Sequence, residues 1–448
     1  MNTIADLVLA GWIPLALLVF AFLPARRAGL VVMAVGWMFV PIHSISAPGL
    51  PDLTKSMCIS IAVAAGVVCF DFRRLFTLRL HWLDLIMLTW LMAPSVASFV
   101  NHLGAYDAAS QLLQRSTTWC VPYVFGRLYL TSTAALREFL WVVFLSGIVY
   151  APFALFEVRM SPQLHRIVYG AAQHSFLQTV RGGGYRPMVF MHHGLELSMW
   201  LSWSTIAGLS LWRLLGVRRV CGVPIALPCI ALLGTVLLCK STGALALLSL
   251  TIVLMAPRTS RALRVLVLAG VPAFLLVRTL GNGVIENTIV EYAGLWSEER
   301  ATSIAYRFDN EALLLDKLHS SPVFGLGRWD FLEIVKPWTG ETSKAVPDSY
   351  WILALSTTGV VGLISFVLAL WLPAWRGMTA RRPSRAVLAC SLLVGMSMLD
   401  LMFNAFVTPL LVTMAGGLML LPRGQVEAQR APAGRATAAR GMLRPRSA

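Results

Sequence analysis

The sequence predicts an all-α, polytopic membrane protein, and three observations carry that expectation. The chain of 448 residues is 57% hydrophobic and only 13% charged, and its mean hydropathy is +0.71. Too few polar side chains remain to cover a water-soluble globule. Apolar runs of about 17–25 residues, the length a bilayer core requires, recur along nearly the whole chain, which no single cleaved leader explains. Backbone amides facing lipid must be bonded within their own segment, so the runs should be helices.

In chain order the spans fall near 5–23, 29–46, 56–70, 82–100, 118–131, 139–157, 190–212, 222–239, 242–256, 264–278, 349–372, 386–400 and 406–421. The count is about twelve or thirteen, because 118–131 carries Pro122 and Arg127 and reads equally as a half-span. Arginine clusters at Arg26/Arg27, Arg73/Arg74/Arg79, Arg213/Arg218/Arg219, Arg258/Arg261/Arg264 and Arg376/Arg381/Arg382/Arg385 share one parity of span ends. The positive-inside rule assigns that parity to the cytoplasm. One polytopic domain, 1–422, is followed by a tail, 423–448, with six arginines among Ala, Pro and Gly, expected to be a disordered cytoplasmic extension near head groups. The net charge of +16 is therefore mostly topology. It does not point to nucleic acid, since the basic residues are dispersed over loops without a recognition module. The seven cysteines lie in or at the ends of spans, which implies neither a disulfide framework nor a CxxC metal site.

Two long segments, 158–189 and 279–348, fall on the opposite, extracytoplasmic side, and long connections in a bundle usually carry sites. The first holds Arg159, Arg166, Arg181 and Arg186 with no acid, against the usual charge bias. Its "RGGGYRP" stretch (181–187) lets backbone amides approach an anion while guanidiniums grip it. A lipid diphosphate suits that arrangement; a flexible loop whose arginines touch head groups is the alternative. The second segment carries eleven acids against six Lys or Arg, which suits an exposed cap. Within it, 303–319 places Phe308, Ala312, Leu315 and Leu318 on one face of an amphipathic helix. Arg307 either points back over the membrane mouth or pairs at the surface with Asp309 or Glu311.

The order "YRFDNEALLLDKLHSSPVFGLGRWDF" (306–331), an acidic loop, then "DSYWILALSTTGVVGLISF" (348–366) resembles the bacterial polysaccharide polymerase and O-antigen ligase family. Asp348, Ser349, Gly359 and Gly362 reproduce that family's His-Asn/Ser-x9-Gly-x2-Gly spacing, with Asp348 where the ligases have histidine. "YRPMVFMHHG" and "KSTGALALLSL" also look like this family, and the likeness spans roughly 180–370. The resemblance implies a membrane glycosyltransferase of the bacterial inner membrane, working on the periplasmic face without a cofactor. Its implied donor is an undecaprenyl-diphosphate-linked glycan, and its implied companions are flippase and chain-length regulator proteins. The absence of a dinucleotide fingerprint or P-loop agrees, since a soluble nucleotide-sugar donor is then not expected.

Physical roles follow for the matched residues. Arg186 and Arg307, with Arg181 behind them, would stabilise charge building on a departing diphosphate. Asp348 is the candidate general base for the attacking sugar hydroxyl, and capping of the following helix is its bland alternative. Glu196, costly in an apolar helix unless paired, is a candidate partner for a substrate hydroxyl or an arginine. His192, His193 and Glu196 sit at helical spacing, but adjacent histidines diverge and no third strong ligand lies near, so no metal site is assigned. Asp84 and Asp400, near span ends, read as solvated. The substitution of aspartate for the ligase histidine favours a polymerase over a ligase. A transporter of lipid-linked sugars is the rival class, and it would favour broken helices and an inverted repeat.

Overall fold

The computed structural model describes residues 3–421 apart from 182, 282, 296, 328–332, 336–341 and 382. The tail expected at 423–448 lies outside the described residues. Helices dominate, and the strands are four short antiparallel hairpins in the loops. Among the described residues five helices are long and apolar enough to cross a membrane: Ile4–Phe22, Lys55–Leu75, Thr133–Met160, Arg261–Leu280 and Tyr350–Thr379. Shorter apolar helices, among them Asp84–Val100, Ala226–Leu238, Thr242–Met255 and Pro409–Met419, stand with them. The exterior is apolar as well as the core. On the first helix Ala5, Leu9, Trp12, Ala16 and Phe20 are buried while Ile4, Leu7, Leu15 and Leu18 are exposed, an arrangement suited to a lipid surround rather than water.

Small residues bring helices together. A Cβ on Gly126 of the Val121–Tyr129 helix would meet the Thr413 carbonyl, and one on Gly416 would meet that of Tyr123. Such close backbone approach is how apolar helices gain packing when their surroundings are equally apolar. At the end of the bundle that bears the arginine clusters, guanidiniums bond to carbonyls at the C-terminal ends of neighbouring helices: Arg74 to Leu128 (2.8 Å), Arg376 to Met419 (2.9 Å) and Arg385 to Leu214 (2.9 Å). Those carbonyls lack intrahelical partners and carry the negative end of the helix dipole.

The structure revises several expectations. The half-span at 118–131 is part of a longer run: the helix Ala105–Arg115 continues through a π-helical turn, Ser116–Cys120, into Val121–Tyr129. Its first half was hidden by its polarity. Asp84 is not simply solvated, since Tyr123 and Arg127 both bond its carboxylate. Asp400 is buried at 5% exposure and accepts from Asn404 Nδ2 at 2.6 Å.

The helix Tyr350–Thr379 is broken at Gly359, whose φ of 62° and ψ of −165° leave the helical region. The turn 322–327 fills the break. Leu326 N donates to Ser356 O (2.8 Å), Gly327 N to Thr357 O (3.1 Å) and Val360 N to Pro322 O (2.9 Å). The inserted backbone thus pairs groups that a broken apolar helix would leave bare. Asn101 Nδ2 holds the turn from the other side through Gly325 O at 2.8 Å. The second glycine, Gly362, is buried three residues further along.

The Glu298–Leu318 helix lies over one end of the bundle, but its inner face is not the one expected. Asn310, Glu311, Leu314 and Leu318 are buried, whereas Ala312 is exposed. The face is rotated because Glu311 has partners inside. Arg278 Nη2 donates to its Oε2 at 2.5 Å and Ser349 Oγ to its Oε1 at 2.5 Å.

Candidate functional site

The Glu311 network sets the register of the site. Arg278, at the end of the Arg261–Leu280 helix, bonds Glu286 as well as Glu311 and lies 4.5 Å from the Phe308 ring centre. Burial pushes the Glu311 carboxyl up, against the pull of Ser349 and Arg278. Charges held this way lock the cap helix to the start of the broken helix, because separating a buried pair leaves an uncompensated charge. One turn before Glu311 stands Arg307, and directly before Ser349 stands Asp348. The same register therefore brings Arg307 Nε to 2.9 Å from Asp348 Oδ2.

Asp348 does not cap the helix. Ser349 occupies the N-cap position, makes no side-chain cap bond and gives its hydroxyl to Glu311. The Asp348 side chain is 36% exposed and that of Arg307 33%, so the pair opens to the outside. Burial raises the Asp348 carboxyl above its ordinary range, and Arg307 only partly offsets this. Arg307 also donates from Nη1 to Phe403 O at 3.4 Å, which anchors it to the stretch after the Arg385–Asp400 helix.

Arg186 approaches from the first long loop. The hairpin of Val180–Arg181 with Gly184–Tyr185 turns through Gly183, whose φ is +70°. Lys240 Nζ donates to Arg181 O at 2.8 Å, and a Cβ on Gly184 would lie 2.5 Å from that Nζ. Glycine here lets the "KSTG" turn dock on the hairpin. Arg186 is buried, donating from Nη2 to Lys240 O at 3.1 Å, while its Nε has no acceptor. Among the described residues no carboxylate pairs with it. Burial, with Arg181 and Arg307 nearby, pulls its guanidinium down to about 10.

The structure therefore places Arg181 and Arg307 near enough to Arg186 to lower its guanidinium, with Asp348 paired to Arg307. Glu196 is elsewhere: it is buried, and its Oε2 accepts from His192 N (2.9 Å) and faces His192 Nδ1 (3.1 Å). Its partner is a histidine, not an arginine. His193 diverges, as adjacent histidines should, and belongs with the arginines. Its Nδ1 accepts from Leu195 N at 3.1 Å, and its ring lies beside those of His174 and Phe406.

No family model matches the chain, and neither curated proteins nor solved structures give a match. Assignment of chemistry to this site rests on its residues.

Proposed function

We propose that this chain elongates lipid-linked oligosaccharide repeats at the extracytoplasmic face of the bacterial inner membrane, as a metal-independent glycosyltransferase that takes an undecaprenyl-diphosphate-linked glycan as donor. The observation that carries this reading is the ion pair of Arg307 with Asp348 beside a buried Arg186 that lacks a carboxylate partner among the described residues. Excess positive charge next to a raised carboxylate suits a reaction in which a diphosphate leaves and a hydroxyl loses its proton. The arginine-capped end of the bundle is then cytoplasmic, with about thirteen crossings in the polytopic domain 1–422, and the Arg307–Asp348 site faces the periplasm.

In the reaction a hydroxyl oxygen of the acceptor glycan attacks the anomeric carbon of the donor. The bond from that carbon to the diphosphate breaks, its electron pair leaves with the diphosphate, and the hydroxyl proton passes to Asp348. Arg186 and Arg307, with Arg181 at the rim, hold the departing charge. The aspartate in place of the ligase histidine favours chain growth over transfer to lipid A-core. A transporter would also use outer arginines, and the Tyr350–Thr379 helix is broken as such proteins require. That break, however, is filled by the chain's own 322–327 turn, which pairs its freed backbone groups.

Profiling of carrier-linked glycans in a deletion strain separates these readings. A polymerase deletion accumulates single repeats on the carrier at the outer face. Polymer retained on the carrier beside bare lipid A-core would indicate a ligase, and repeats trapped at the inner face a transporter.

A further inference from the structure

A cavity of about 340 Å³ lies between the Ala105–Tyr129 helical run and the first turns of the broken helix. Its size falls within the usual range of ligand pockets, roughly 300–1,000 Å³. Gln111, Gln114, Arg115 and Thr118 line it at the i, i+3, i+4, i+7 spacing of one helical face. Polar side chains of this kind are costly inside an apolar bundle and mark a binding function there by default. Trp119 of the same run, with Trp90 and Tyr350 from neighbouring helices, adds an aromatic wall, the two tryptophan rings edge to face at 5.3 Å.

Arg115 is the centre of the cavity's electrostatics. Its guanidinium sits 3.8 Å from the Trp90 ring centre, and Nη1 donates to Tyr350 Oη at 3.3 Å. Among the described residues no carboxylate pairs with it. A fixed cation without a carboxylate partner calls for an anionic ligand. Aromatic rings beside carboxamides suit the alternating C–H faces and hydroxyls of a pyranose.

The geometry points to a subsite for a sugar residue bearing a carboxylate, its ring against the aromatic wall and its carboxylate on Arg115. The subsite neighbours the arginine site through two of its lining residues. Tyr350 follows Asp348 by two residues, and Phe406 lines the cavity while stacking on His193 at 6.2 Å. One glycan chain can therefore occupy both, with an acidic residue held in the cavity while a neighbouring hydroxyl meets Asp348. This inference rests on the proposed glycan chemistry for the origin of the sugar, while its binding test does not depend on turnover.

The test is saturation-transfer NMR on the full chain in lipid nanodiscs, with methyl β-D-glucuronide and methyl β-D-glucoside as probes. Wild type should transfer saturation to the glucuronide and bind the glucoside more weakly. Arg115→Gln should weaken glucuronide binding by about tenfold or more, the scale of a charge-assisted contact. Gln114→Ala, which leaves the Arg115–Trp90 stack in place, should weaken both sugars and serves where Arg115→Gln does not fold. Absence of glucuronide binding to wild type, equal binding of the two sugars, or binding unchanged in both variants overturns the inference. Glucuronide binding in a chain that elongates no glycan would leave this subsite standing and overturn the proposed reaction; elongation without glucuronide binding would do the reverse.

Discussion

Asp348→Asn lowers the rate of glycan elongation by about 10²–10⁴, the range a positioned general base contributes. The amide keeps the shape of the side chain and removes its capacity to take a proton. It also releases Arg307 from its 2.9 Å ion pair, so the variant should keep its abundance and any affinity for the diphosphate while losing turnover. The pH profile supplies a second signature. Burial holds the Asp348 carboxyl above its ordinary range, and the base acts only when ionised. Elongation is therefore retained above the raised pKa and lost as pH falls through it, with the limb above the ordinary aspartate value of about 3.9. Arg307 favours the ionised form, so Arg307→Gln should move that limb to higher pH, whereas Arg307→Lys should largely keep it. Elongation by Asp348→Asn near the wild-type rate, at equal abundance, would remove the carboxylate from the reaction.

Gly359→Ala destabilises the folded chain by on the order of 4 kcal/mol or more, a size that single substitutions reach through a few specific mechanisms. Two of them coincide here. The backbone at Gly359 has a φ of 62° with ψ of −165°, a region essentially reserved for glycine. An added Cβ would also stand 2.3 Å from the Val323 carbonyl carbon and oxygen, and backbone cannot swing aside as a flexible side chain can. The inserted turn would be expelled and its paired amides left bare. Gly270→Ala is the control, because nothing lies within 4 Å of the added atom in that helix. There alanine should be neutral or slightly stabilising. Thermal unfolding of the detergent-solubilised chain reads the difference, and equal midpoints for the two variants would refute the account of the break.

The helices were legible because apolar runs leave few alternatives in a chain with so little charge. The meeting of Arg307 with Asp348 was legible only as a shared side and a motif order; the register that creates it was not. Glu311 and Arg278 carry that register, and Glu311 reads in sequence as one more acid of an exposed cap. Hydrophobic periodicity has no signal for an acid buried by a distant arginine, which is why Ala312 was placed inward and Glu311 outward. The polar half of the Ala105–Tyr129 run was missed for a related reason. Its Gln111, Gln114 and Arg115 lower the local hydropathy because they line a cavity. The spacing of Gly359 and Gly362 was visible as part of a motif, but insertion of the 322–327 turn depends on a long-range backbone pairing that no local pattern encodes. A capping role for Asp348 was locally plausible until Ser349 took the cap position and spent its hydroxyl on Glu311.

The central claim is that this chain itself elongates a lipid-linked glycan, and reconstitution tests it most directly. The purified full chain is placed in proteoliposomes with undecaprenyl-diphosphate-linked repeat units isolated from a strain lacking it, without any nucleotide sugar. The account predicts a ladder of longer carrier-linked glycans and stoichiometric release of undecaprenyl diphosphate, both abolished by Asp348→Asn. Repeat units that stay single while crossing from one leaflet to the other would contradict it and identify a transporter.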